Sequence, residues 1–157
     1  MKYPTRQSLR AAFFLVFTMV FLMSIVQGLT ASSCRKEYLE PDKRIRYCSI
    51  STSISRWSIL SEPYKRSILY AQRAVAYSQT NSHDKAIDDF KRAWSDAYKA
   101  MQRSEGDGSA PLSLRQKSIV DLVVRQGKDS LAEKNFKSAL VDLGIDPAFI
   151  ARLLTHG

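Results

Sequence analysis

Residues 70 to 93 read YAQRAVAYSQTNSHDKAIDDFKRA, and this stretch decides the fold. Around and ahead of its turn, Ile68, Leu69, Ala71, Ala74, Val75 and Tyr77 recur at the spacing of one helix face, predicting a helix over 64–79. Thr80-Asn81-Ser82 is a short polar turn, and serine is a residue type that caps a following helix. From His83 to about Arg103, Ala86, Ile87, Phe90, Ala93, Trp94, Ala97 and Met101 mark a second, strongly amphipathic helix. Two helices of this length joined by three residues lie antiparallel. Small Ala74 and Ala86 let the two backbones approach, Phe90 fills the gap between them, and Ala93 accepts the next helix.

Working outward, Ala86-x-x-x-Phe90-x-x-Ala93 returns as Ala132-x-x-x-Phe136-x-x-Ala139, 46 residues on. A helix at 112–125 and a break at Gly127 precede the second copy, which falls in a helix over 130–143. Gly144-Ile145-Asp146-Pro147 stops that helix, and a short final one follows to Thr155. Ahead of the hairpin, Ile45, Cys48, Ile50, Ile54, Trp57 and Leu60 predict a helix over 43–60 with one apolar face, ended by Ser61-Glu62-Pro63. Alternating strand patterns are missing, so the expected fold class is all-α.

The set Ala74, Tyr77, Ala86, Phe90 and Ala93 resembles a tetratricopeptide repeat over about Ser67 to Ala100. With the cysteine pair ahead of it, the chain is similar to small exported tetratricopeptide proteins of proteobacterial type. The second copy, over 113–146, keeps Ala132, Phe136 and Ala139 but carries Val120 and Val123 in its first helix, and so resembles a degenerate unit. The family repeat is about 34 residues, and an insertion around the SEGDGSAP loop accounts for the longer offset. Tyr70 and Arg73 depart from the family's aromatic and leucine, and Tyr98 stands near its proline. The resemblance implies a short solenoid of antiparallel hairpins: a leader and capping helix over 32–62, a first hairpin over 63–103, a loop over 104–112, a second hairpin over 113–146 and a C-terminal cap over 147–157. It also implies a non-enzymatic protein–protein interaction module. Its partner groove would be lined by Ile68, Ala71, Val75 and Ser78, then Lys117, Asp121 and Arg125. Ala71 and Val75 replace the residues that clamp a C-terminal carboxylate, which favours an apolar helix or an extended peptide as ligand. Two units fall short of the three usually needed for stability, so self-association to lengthen the solenoid is a second expectation. A generic helical bundle with the same Ala/Phe packing is the competing reading.

The first 31 residues are a targeting segment. Lys2, Arg6 and Arg10 precede Ala11 to Val26, AAFFLVFTMVFLMSIV, which carries no charge, and small residues follow. These are the three parts of a secretory signal, cut after Ala31 or Ser33. An uncleaved anchor is the alternative, since the run approaches the roughly 20 residues that span a bilayer. The basic flank would keep the N-terminus inside and place the rest outside, in the periplasm or on its membrane face. Retained, the helix would make the chain a membrane-anchored structural or assembly subunit. Ala31-Ser32-Ser33-Cys34 also resembles a lipoprotein box, without its bulky aliphatic residue.

Cys34 and Cys48 are the only cysteines. In an oxidising compartment a lone pair this close reads as a disulfide, tying the leader to the first helix of the domain. Two cysteines with distant His83 and His156 fall short of a metal site, and no cofactor is expected.

The 157-residue chain carries 24 bases and 15 acids, a net charge of +9. Residues 1 to 31 hold three bases and no acid, leaving 21 against 15, or +6, for the remainder. That charge steers the domain toward anionic surfaces and acidic partners. The bases are not interleaved with aromatics as nucleic-acid binding requires, so no nucleic acid is expected. A small enzyme or a binder of anionic polymers would rest on this charge alone. No phosphate loop, nucleophile elbow or zinc helix is present. Adjacent Asp88 and Asp89 point about 100° apart on a helix and read as solvated surface rather than a catalytic pair.

Overall fold

The computed structural model of the chain describes residues 6–57, 62–105 and 114–155. Among them it is all-helical, with seven helices: α1 (Arg6–Cys34), α2 (Pro41–Trp57), α3 (Pro63–Gln79), α4 (His83–Glu105), α5 (Leu114–Gly127), α6 (Glu133–Asp142) and α7 (Pro147–Thr155). The loop expected over 104–112 lies outside the described residues from 106 onward, as do Leu60 and His156. Of Trp57, Met101 and Lys117 only the backbone is described.

Local chemistry sets the helix ends. Glu62 sits in extended backbone (φ −66°, ψ 132°), where a residue before proline is driven, and Pro63 opens α3. Asn81 takes the left-handed conformation at φ 57°. The Ser82 amide then donates to the Tyr77 carbonyl at 2.9 Å and the Asn81 amide to that of Ser78 at 3.2 Å. That is a Schellman closure, with asparagine in the place usually held by glycine. α6 ends the same way: Gly144 has φ 75°, and the amides of Ile145 and Gly144 donate to the carbonyls of Leu140 and Val141. α6 starts three residues later than its apolar pattern predicts. The carbonyl of Asp129 accepts from the amides of Ala132 and Glu133, and its side chain from that of Leu131, so a turn occupies 128–132 and Ala132 becomes the N-cap.

α3 and α4 form the central antiparallel pair; α2 packs on α3, α1 on α2, and α5 and α6 cover the other side. All six residues of the doubled Ala/Phe pattern are fully buried: Ala86, Phe90, Ala93, Ala132, Phe136 and Ala139. The rings of Phe90 and Phe136 meet edge-on at 5.2 Å, which joins α4 to α6 in one core, while α5 and α6 pack mainly on α3 and α4 rather than on each other. Ala74 is also fully buried, whereas Tyr77 is half-buried, with Lys85 and Arg73 over its ring. Gly127 ends α5 where a Cβ would lie 2.5 Å from the Phe136 ring, so its missing side chain is what lets that ring seat.

Two expectations are corrected. The inward face of α2 is polar, not apolar. Arg44, Cys48, Ser51, Thr52 and Ser55 are buried, while Ile50 is exposed and Ile45 and Ile54 are only half-buried. Small hydroxylated side chains admit α1 and α3 at close range, and two of them are satisfied on their own helix: Thr52 donates to the Ser49 carbonyl and Ser55 to that of Thr52. Asp89, read as solvated, is 2% exposed because Arg73 reaches across from α3 to neutralise it, while Asp88 stays in solvent.

α1 runs without a break past Ala31 to Cys34. Its C-terminal turns join the domain: Thr30 and Cys34 are buried, and Ala31 packs against the small cluster of Cys34, Cys48 and Leu69. Cys34 and Cys48 are disulfide-bonded with their Cα atoms 4.8 Å apart. From Phe13 to Met23 the large side chains of α1 are 55% to 71% exposed on every side.

Candidate functional site

A cleft of about 420 Å³ opens where the start of α2, the end of α3 and the end of α5 converge. Val75 and Gln79 come from α3, Arg125 and Gln126 from α5, and Arg44 from α2. Glu37 and Asp129 reach the same cleft from the two adjoining turns. Its chemistry centres on Arg44, which is 3% exposed. One guanidinium nitrogen donates to the Gln72 side chain at 3.1 Å and lies 3.5 Å from that residue's carbonyl; the other lies 3.4 Å from the Gln79 side-chain oxygen. Its Nε is buried without a hydrogen-bond partner, and among the described residues no carboxylate pairs with it. Burial pushes this guanidinium below the usual arginine range, against the opposing pull of Glu37 and Asp129. A cation held by amides alone is an expensive arrangement that a carbonyl or carboxylate from outside would complete.

Next to it lies a network that is complete within the chain. Arg73 donates to both oxygens of Asp89, at 2.6 and 2.8 Å, and to the hydroxyls of Ser49 and Thr52 at 3.1 Å each. The rings of Tyr70 and Tyr77 flank its guanidinium at 5.5 and 5.8 Å. Burial opposes the Arg73 charge, but the hydrogen bonds and charge of Asp89 outweigh it, and the net pKa lies above the usual arginine value. This cluster links α2, α3 and α4. Its charge is neutralised by Asp89 within the chain, which makes its role structural.

The residues expected to line a partner groove are divided by the fold. Val75 and Arg125 meet in the cleft. Ala71 is fully buried in the main core, and Ser78, 3% exposed, accepts from the Asn135 amide at 2.9 Å, so both serve packing. Ile68 and Asp121 are half-buried and outside the cleft lining, and the side chain of Lys117 lies outside the described residues. Arg44, Gln72 and Asn135 were not singled out from sequence. The signal for Arg44 was its helical step to Cys48, Ser51 and Ser55, visible only if small polar residues are allowed to form a buried face.

A second hollow of about 410 Å³ lies between α6 and α7, lined by Val141, Ile150 and Leu154 with Glu133 and Lys137 at its margin. His83 is exposed, and its Nδ1 is 3.1 Å from the Asn135 amide nitrogen. Among the described residues no three His, Cys, Asp or Glu side chains converge as a metal site would require. No protein-family model, curated protein or solved structure matches the chain.

Proposed function

We propose that this chain is a non-enzymatic protein–protein interaction module, a short tetratricopeptide-like stack held on the exported face of a membrane by α1. The observation that carries the interaction reading is the buried Arg44, with no ion-pair partner among the described residues, at a cleft between α2, α3 and α5. The cleft wall is largely polar, so its ligand is an extended peptide that offers carbonyl or carboxylate oxygens to Arg44, Gln79 and Arg125. The edge-on contact of Phe90 with Phe136 ties α4 to α6 behind it. A photo-crosslinking side chain at Gln126, in the cleft, should give one discrete adduct in native membranes that Arg125→Glu weakens. The same probe at exposed Lys134 should give none. Equal labelling from both positions, or none from either, would refute the groove.

Retention of α1 is favoured over cleavage by a specific observation. A cut after Ala31 would divide a continuous helix and remove Thr30 and Ala31 from packed positions three or four residues from the disulfide. The stretch 12–34 is long and apolar enough to cross a bilayer, and its exposed apolar surface has no stripe that would seat it on a protein face. The native protein should therefore begin upstream of Ala11 and resist alkaline carbonate extraction. A mature N-terminus at Ser32 or Cys34 would sink the anchor.

A further inference from the structure

At the end of the domain where α1 departs there is a cationic cleft of about 300 Å³ that the peptide-binding reading does not use. Among the described residues it is lined by Arg56, Arg66, Arg92 and Lys99, with Asp96 the one acid and Tyr70 forming part of the wall. Asp96 is already held by Arg66, whose Nε and one terminal nitrogen donate to its two oxygens at 3.1 and 3.2 Å. Arg92 lies 5.9 Å from the Tyr70 ring centre and 3.9 Å from an oxygen of Asp89, a carboxylate that Arg73 has already satisfied. Arg56 and Lys99 are exposed, and neither has an acidic partner among the described residues. Four bases thus surround a hollow in which a single carboxylate is bound to one of them.

The register of the helices places this hollow relative to the membrane. Arg66 pairs with Asp96 and Arg73 with Asp89, so the start of α3 lies beside the end of α4. Arg44 meets Gln79 while Ser49 and Thr52 meet Arg73, so the end of α2 lies at this same end of the bundle. α1 and α2 fold back on each other through the short turn at 35–40 and are locked at Cys34–Cys48. Eight residues back from Cys34 is Val26, and eight residues on from Cys48 is Arg56. Each step is about 12 Å along a helix, which brings Arg56 level with the point where the apolar run of α1 leaves the domain. With the apolar run 11–26 in the hydrocarbon, that level is its edge, where the headgroup layer begins.

We propose that this cleft binds the headgroup of an anionic phospholipid and so fixes the tilt of the domain against the membrane. The inference rests on the reading of α1 as a retained anchor. A phosphodiester offers acceptor oxygens to the exposed Arg56, Arg92 and Lys99, at the depth where α1 places them. The hydrocarbon-facing helix and the cationic hollow then act as two signals for one surface.

The test is lipid retention by the full-length chain, reconstituted with equal amounts of phosphatidylglycerol and phosphatidylcholine and analysed by native mass spectrometry. The wild type should retain phosphatidylglycerol preferentially. A triple variant, Arg56→Gln with Arg92→Gln and Lys99→Gln, should lose that preference, each base removed costing about fivefold. A charge-matched control, Lys36→Gln with Lys43→Gln and Lys134→Gln, alters exposed bases away from the cleft and should keep it. Equal retention of both lipids by the wild type, or equal loss of preference in the two triple variants, overturns the site. Abolition of the preference by excess inorganic phosphate at constant ionic strength also overturns it, since the hollow would then take a free anion. The anchor is judged separately, by the N-terminus of the native protein: a cut there removes the anchor whatever the full-length chain selects, and absence of selectivity leaves the anchor standing.

Discussion

Arg73 occupies the position where the resembled repeat has leucine, and it fills that place by a different physics. Its charge is 12% exposed and that of Asp89 is 4%, so each is buried against the other. Removing one partner strands a charge, and Arg73→Ala should cost about 3 to 5 kcal/mol, read from the urea midpoint. The double variant Arg73→Leu with Asp89→Ala should lie closer to wild type than either single change, because an apolar pair needs no desolvation of charge. A double variant as unstable as the sum of the two singles would show that the pair is not coupled. Gly127 is the second residue whose identity is set by one contact. Gly127→Ala drives a methyl into the Phe136 ring and should destabilise by about 1 to 3 kcal/mol, although alanine is the better helix former. Neither requirement could be read from position alone, since Asp89 looks like any surface acid and Gly127 like any helix stop.

Among the elements, α2 is the one that periodicity misassigned. Its isoleucines fall at helical spacing, yet it turns Arg44, Cys48, Ser51, Thr52 and Ser55 inward. The disulfide pins Cys48 inward and Arg73 draws Ser49 and Thr52 toward α3, so two specific bonds choose the rotation of the helix over its mean apolarity. Ser51 then lies fully buried with its hydroxyl unpartnered. Ser51→Ala should be neutral or raise the melting temperature, because it deletes an unsatisfied oxygen without leaving a sizeable cavity. A loss above about 1 kcal/mol would mean that the hydroxyl has a partner after all. By contrast, α3 and α7 match the sequence expectation to within one residue, because proline openings and Asn or polar-turn closings are local chemistry.

For the whole molecule, the central question is where the apolar run of α1 ends and the folded domain begins. The packed positions of Thr30, Ala31 and Cys34 place that boundary near Gln27. A chain starting at Gln27 should be soluble and keep its disulfide, with a melting temperature close to that of the intact protein. A chain starting at Arg35 loses the Cys34–Cys48 link and should be less stable by about 3 kcal/mol, the value for closing a loop of this length. Equal stability of the two would put the boundary at Cys34 and favour a cleaved leader. The sequence by itself determined the all-helical class, the apolar N-terminal run, the cysteine pairing and the doubled Ala/Phe core, because each follows from periodicity or composition within one segment. Only the tertiary structure decided which face of α2 is buried, that α1 continues past Ala31 into the domain, and that Arg44 rather than Ala71 or Ser78 stands at the cleft. Those outcomes depend on which neighbours each helix meets, and buried charge, disulfide reach and ring contact act between segments that no local pattern relates.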